Sequence, residues 1–344
     1  MELYEITIRP EGALGTPLRG DTIFGHFCWQ VAYDPSLVQD GLSPNIRRYA
    51  EQPYVIFSSA FPRFDSDGSG IVYGLKRPAL PLEWLFPSVD QDRLARARER
   101  KSNKARTWML AGSDLKLDVS KGHFLSDDEL FSKIDTGFRQ RPHWSDSYHI
   151  IHRCSRAHNT IHRFSGTTGP GEFAPYSQEL QYYAMDISLA IFVLIDETVT
   201  DIVSVKKGLE RIGKLGFGKD ASIGLGRFSV VGSQQMPPTH ANGCRALYCL
   251  APTVPVPGSY TEAYFVPFVR FGKHGDTLAR SDNPFKNPVI MADEGAVFVP
   301  RDKEALSQPY WGRAVANVSL SQRDAVVQGY SICLPIQIHA RGDT

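Results

Sequence analysis

Between Gly213 and Arg227 the chain sets five glycines, Gly213, Gly216, Gly218, Gly224 and Gly226, among three cations, Lys214, Lys219 and Arg227. Glycine at that density marks backbone that bends sharply or is approached closely. Main-chain N–H groups exposed in such a loop bind anions, and the cations add positive charge, so one reading is a cradle for phosphate or a nucleic-acid backbone. Gly213 to Asp220 nearly spells G-x-x-x-x-G-K-[ST], but Asp220 replaces the hydroxyl that would hold Mg²⁺ and would repel phosphate. That motif also runs strand, loop, helix. Here Ile202, Val205, Leu209 and Ile212 have helical spacing before the loop, and Leu225 to Val231 suits a strand after it, which excludes a P-loop hydrolase. A glycine turn that merely lets a helix pack closely on a strand fits the same residues.

His149 to Arg163 is the second chemically unusual stretch, with His149, His152, His158 and His162 beside Arg153, Arg156 and Arg163. His158 and His162 have i, i+4 spacing, but no glutamate follows His158 and the segment runs into a Gly-Thr-Thr-Gly-Pro-Gly turn, so zinc chemistry is disfavoured. Forked arginine donors suit phosphate, and Asn159 with the histidines can hydrogen-bond or stack on unpaired bases; the mixture fits single-stranded RNA better than metal. A merely solvated basic hairpin is the alternative. Arg19, just before a helix, could meet a phosphate. His26, off that helix's apolar face, fits a hydrogen-bonded structural role better than catalysis.

Seven cations against one acid, Glu99, fill Arg93 to Arg106, the most basic run in the protein. Apolar positions are sparse there, so it reads as a solvated helix or as an arm over a polyanion.

Around these residues, Leu3 to Ile8 alternates as a strand, and Asp21 or Thr22 can cap a helix carrying Ile23, Phe24, Phe27, Cys28 and Val31. Tyr54 to Phe61 and Ile71 to Leu75 read as strands on either side of a turn at 65–70, and Tyr182 to Leu194 as one long strand. The order β-α-β-β, a long insertion, then β-α-β resembles a ferredoxin-like fold in residues 1–235, with the insertion at about 80–180 projecting from it. Gly232 to Gly243 reads as a linker, and residues 236–344 as a strand-rich second domain with segments such as Ala263 to Phe271 and Tyr330 to Ile338.

The length of 344 residues suits about two domains. A formal net charge of +1 means that polyanion binding must come from patches. Five scattered cysteines without a C-x-x-C pair read as reduced thiols of a cytoplasmic protein. No apolar run approaches the ~20 residues that cross a bilayer, and the first residues lack the basic start of an export signal.

Thr16 to Trp29, Arg156 to Gly169 and Gly216 to Arg227 together resemble the RAMP superfamily of CRISPR proteins. Within it they are most similar to the subunit that caps the 5′ handle of the CRISPR RNA (crRNA) in type III-A Csm effector complexes. The resemblance implies an α+β chain of two ferredoxin-like (RRM-like) domains, with a thumb in the insertion of the first. It implies no nuclease activity, no cofactor, and three partners: the crRNA handle, a neighbouring RAMP backbone subunit and the large polymerase-like Cas subunit. The expected RNA-binding residues are Arg19, His26, Arg153, Arg156, His158, Asn159, Arg163, Lys214, Gly216, Phe217, Gly218, Lys219, Gly224, Gly226 and Arg227. Lys219-Asp220 stands where relatives often carry a further glycine and a basic residue, so the Asp220 side chain is expected to face away from RNA.

Two other readings use the same residues. One is a metal-independent crRNA-processing endonuclease, with His26 or His158 as general acid-base and Lys214 or Lys219 stabilising the charged phosphate. The other is a scaffold whose basic patches meet acidic proteins.

Overall fold

The computed structural model describes residues 1–65, 70–87, 92–134, 149–184, 186–239 and 241–338. Most of the turn expected at 65–70 therefore lies outside the described residues. The chain opens with β1 (Glu2–Pro10), α1 (Gly20–Tyr33), α2 (Leu42–Arg48), β2 (Val55–Asp65) and β3 (Ile71–Lys76). Then come α3 (Leu82–Leu85), α4 (Arg93–Ala105), β4 (Trp108–Gly112), β5 (Leu117–Asp118), β6 (Phe124–Leu125) and α5 (Asp127–Ile134). A hairpin of β7 (Ile151–His158) and β8 (Tyr176–Tyr183) is followed by β9 (Ser188–Ile195), α6 (Ile202–Leu215) and β10 (Phe228–Gln235). The last part holds β11 (Ala246–Cys249), β12 (Tyr260–Tyr264), β13 (Pro267–Arg270), β14 (Val289–Ala292), β15 (Val297–Pro300), β16 (Tyr310–Gly312) and β17 (Tyr330–Gln337).

Two antiparallel sheets organise this mixed α+β chain. The first has the order β10-β1-β9-β2-β3-β4-β6, so β1-α1-β2 and β9-α6-β10 interleave as split β-α-β units. β9, Ser-Leu-Ala-Ile-Phe-Val-Leu-Ile, lies between β1 and β2, and its continuous apolar run is buried on both faces. α1 packs on β2, α6 on β10, and the two helices touch each other. That touch is close: a Cβ on Gly208 of α6 would stand 2.6 Å from the Phe27 ring of α1. The Asp201 side chain caps α6 by accepting the Ser204 amide, at 2.7 Å. α1 begins differently from the expected cap. Gly20 is already helical, its position held by close approach to the Phe57 carbonyl, and Asp21 is bound elsewhere.

The second sheet runs β12-β15-β11-β17-β16, with β5 added in parallel on β17. Thus the segment expected to project as a whole is divided: β4 and β6 extend the first sheet, β5 joins the second, and the β7–β8 pair forms a separate two-stranded sheet. Tyr182 to Leu194 is likewise not one strand. β8 ends at Tyr183 and β9 starts at Ser188 in another sheet, with Asp186 at φ 60° between them. Ala263 to Phe271 also splits, into β12 and β13. The region 241–338 has no α-helix among its described residues, only short 3-10 turns, so it lacks the helical layer that a second ferredoxin-like unit would carry.

One hydrophobic core runs from Ile6, Phe27 and Ile191 through to Tyr248, Val297 and Ile336, joining both sheets. Polar ties reinforce the joint: Gln328 accepts from the Phe57 amide at 3.0 Å and donates to the Phe57 carbonyl at 2.8 Å. Buried Glu5 in β1 forms an ion pair with Arg63 at 2.7 Å and accepts from Tyr73 and Gln234, each at 2.6 Å. All five cysteines are free thiols. Among the described residues no helix is long and apolar enough to cross a membrane.

Candidate nucleic-acid interface

The glycine loop leaves α6 at Gly216, whose φ of 106° suits only glycine, and returns to β10 after Arg227. Its glycines do two kinds of work. A Cβ on Gly213 would lie 2.0 Å from the Phe228 carbonyl oxygen, on Gly216 2.5 Å from that of Leu225, and on Gly226 2.1 Å from that of Phe217. These glycines, with Gly218 against Thr16, serve close packing inside the protein. At Gly224, φ is 95° but an added Cβ meets nothing within 4 Å, so this glycine faces open space.

The expected cradle of bare amides is not what the loop presents. Phe217 N–H donates to the Gly226 carbonyl at 3.0 Å, Gly218 N–H to His26 Nε2 at 3.0 Å, Lys219 N–H to Thr16 Oγ1 at 2.9 Å, and Gly226 N–H to the Ala13 carbonyl at 2.8 Å. Those donors are spent on holding the loop to the Ala13–Thr16 segment and α1. What projects outward is side chain: Lys214, Lys219, Ser222 and Arg227 are exposed.

Two expected ligand-binding residues take structural places. The Phe217 ring is 1% exposed and cannot stack on a base. His26 packs on that ring, centroids 4.7 Å apart, and burial pushes its pKa down to about 4. A neutral Nε2 acceptor for the Gly218 amide is the form this surrounding selects. Arg19 also differs from expectation. Its Nη2 lies 2.9 Å from Asp293 Oδ2, its Nε 3.5 Å from Glu294 Oε2, and its guanidinium sits 4.5 Å from the Phe268 ring centre. Burial and the neighbouring Glu294 push Asp293 up to about 7, while Glu294, against the upward push of its own burial, is held down by Asp293, Lys76 and Arg19 together. Arg19 therefore locks the two halves together, as does Arg270, whose fork grips Asp21 at 2.6 and 2.9 Å.

The histidine-arginine stretch is a strand and its turn, so His158 and His162 do not share a helical face. Among the described residues no set of three His, Cys, Asp or Glu side chains gathers to hold a metal ion. In the hairpin, Arg156 pairs with Gln178 and His158 with Tyr176, which places all four on one face. Arg153, odd-numbered along β7, falls on the opposite face. Gln178 is buried and makes the decisive link. Its Oε1 stands 3.1 Å from His158 Nε2, and its amide nitrogen donates to the Asp220 carboxylate in the glycine loop. A backbone bridge between Leu14 and Gln181, at 2.8 and 2.9 Å, fixes the same strand to the segment that holds the loop. Asp220 is thereby turned to the hairpin, toward the strand face that carries Arg156 and His158.

The sequence reading missed three exposed rings or apolar groups beside these cations. Phe164 is 99% exposed at the hairpin turn, Tyr176 lies parallel to the His158 ring at 5.2 Å, and Ile223 is 69% exposed on the loop. Phe164 carried a legible signal: an aromatic residue next to Arg163 in a Gly/Ser/Thr-rich turn has no strand or helix to bury it. Exposed Asn159 and Arg163 complete the tip.

Across 97% of this chain and 99% of the other, the fold superposes on a solved Csm3–Csm4 subcomplex of the type III-A CRISPR-Cas interference complex, with TM-score 0.56 and 13% identity. The fold is Csm4-like. A Csm1–Csm4 cassette solved with pppApA matches at TM-score 0.51 and 14% identity, covering 99% of this chain and 100% of that one. Neither protein-family models nor curated proteins match the sequence. The Csm4-like fold therefore rests on architecture shared at low identity, and the residues of the site are those of this chain.

Proposed function

We propose that this chain is a non-catalytic RNA-binding subunit of a type III CRISPR effector complex, and that it caps the 5′ handle of the crRNA. The observation that carries the reading is the Gln178 bridge, which sets the hairpin beside the glycine loop so that Arg156, His158, Asn159, Arg163, Lys219 and Arg227 can act on one strand. Phosphates meet Lys219 and Arg227, with Lys214 at the helix end, while bases splay against Tyr176, His158 and Phe164. Gly224 lets the strand approach the loop, and Gly216, Gly218 and Gly226 keep that loop in shape. Arg153 contacts the strand from the hairpin's other face.

In this reading residues 1–235 form a ferredoxin-like RAMP unit whose β7–β8 hairpin is the thumb. Residues 236–344 form the second, strand-built unit. The Csm3–Csm4 and Csm1–Csm4 assemblies of its structural neighbours support a place between a RAMP backbone subunit and the large polymerase-like subunit. The endonuclease reading loses its first acid-base candidate, because His26 is packed on Phe217 and spends Nε2 on the loop amide.

Purified protein incubated with labelled handle RNA tests the proposal. Binding that falls steeply with salt and weakens in Arg156→Gln and Arg227→Gln variants supports it. Cleavage of precursor RNA that His158→Ala abolishes would establish the endonuclease instead.

A further inference from the structure

The most basic helix of the protein lies outside the site just described. α4 buries only Asn103 and carries no apolar stripe, so nothing in the core demands its thirteen residues. At 3.6 residues per turn, Arg93, Arg96, Arg100, Lys101 and Lys104 fall within an arc of about 140°. Cations at i, i+3 and i, i+4 along that arc repel one another and weaken the helix. It is nonetheless fastened at both ends. Asp92 accepts from the Leu94 amide at 3.1 Å, and Arg77 donates to the carbonyls of Asn103 and Arg106, each at 2.8 Å. A helix fixed at its ends and self-repelling along one exposed face gains from a polyanion laid upon it.

Its exit is tied to the root of the hairpin. Trp108, three residues past α4, donates from Nε1 to Asp127 Oδ1 at 2.8 Å. The other oxygen of the same carboxylate accepts the Ile150 amide at 2.8 Å and lies 3.1 Å from His149 Nδ1, where β7 begins. One side chain thus anchors both the basic helix and the basic hairpin.

We propose that α4 is a second RNA-backbone contact, which takes a stretch of the bound strand outside the portion held by the hairpin and glycine loop. This rests on the RNA-binding reading above. Arginine dominates the arc, and its fork suits phosphate oxygens, which favours a nucleic-acid occupant over an acidic protein.

The test uses the full chain and two fluorescent oligouridylates, one of handle length and one several times longer. The variant combines Arg93→Gln, Arg96→Gln, Lys101→Gln and Lys104→Gln. All four side chains are exposed, and the variant spares Arg100 and Arg106, which lie 3.5 and 3.4 Å from Glu83 and Glu129. An unchanged thermal midpoint verifies the fold. For the longer strand the log–log salt slope is expected to fall by about 2.8, about 0.7 for each of four lost phosphate contacts, while the short strand keeps its slope. An unchanged slope for the longer strand overturns the proposal. Displacement of that strand by polyglutamate as readily as by oligouridylate also overturns it, in favour of an acidic protein surface. Failure of the handle reading is separately visible: Arg156→Gln with Arg227→Gln would then leave short-strand binding untouched.

Discussion

Asp220, in the loop between α6 and β10, accepts a hydrogen bond from Gln178, in the middle of β8. Gln178→Leu keeps the bulk but leaves the carboxylate without that donor and His158 without its acceptor. RNA affinity is expected to fall about tenfold, the worth of one to two hydrogen bonds. The salt slope should not change, because no phosphate contact is removed. Fluorescence anisotropy at several salt concentrations checks both.

Arg227 and Arg156 are exposed cations on the two sides of that bridge. Replacing either by Gln should reduce the salt slope for handle RNA by about 0.7, and both together by about 1.4, as expected for independent phosphate contacts. Arg19→Gln should act differently. Its charge is already matched by Asp293 and Glu294, so the variant should lower thermal stability more than it changes the slope.

Gly226 and Gly224 have similar positive φ, 75° and 95°, but different surroundings. Gly226→Ala drives a methyl into the Phe217 backbone and should destabilise the chain by more than about 3 kcal/mol. Gly224→Ala meets open space and should cost only the left-handed conformation, about 1–2 kcal/mol. Denaturant melts separate the two, and any larger loss of RNA binding at position 224 would mark where the strand approaches.

His26 supplies a pH signature. Its pKa is depressed by burial to about 4, below the unfolded value of about 6.5. The folded state therefore holds fewer protons than the unfolded one in this window. Its contribution is present above about pH 6.5 and is lost as pH falls toward 4, on the order of 3 kcal/mol in all. His26→Gln, which retains a side-chain acceptor, should flatten stability between pH 6.5 and 4; an unaltered profile would contradict the buried neutral ring.

Local pattern carried much of the first half. The unbroken apolar run of β9 and the i, i+3, i+7 spacing of Ile202, Val205 and Leu209 each fix an element through burial, which periodicity records. What escaped depends on partners distant in sequence. Arg19 looks available beside a helix start until Asp293 and Glu294 arrive from the other half of the chain. Gln178 is one more polar residue in an alternating strand, and nothing near it foretells Asp220. The glycine loop had two legible readings, and close packing explains four of its five glycines while leaving Gly224 to the surface. The second half was read as strand-rich, and its described residues hold no α-helix; they share a core with the first sheet, a relation that no local spacing encodes.

The most direct test of the RNA-capping account is a residue-level crosslinking map of handle nucleotides in the assembled effector particle. Crosslinks from those nucleotides should concentrate on residues 156–164, Tyr176 and residues 219–227. Handle nucleotides that crosslink elsewhere, with both of these surfaces bare, would contradict it.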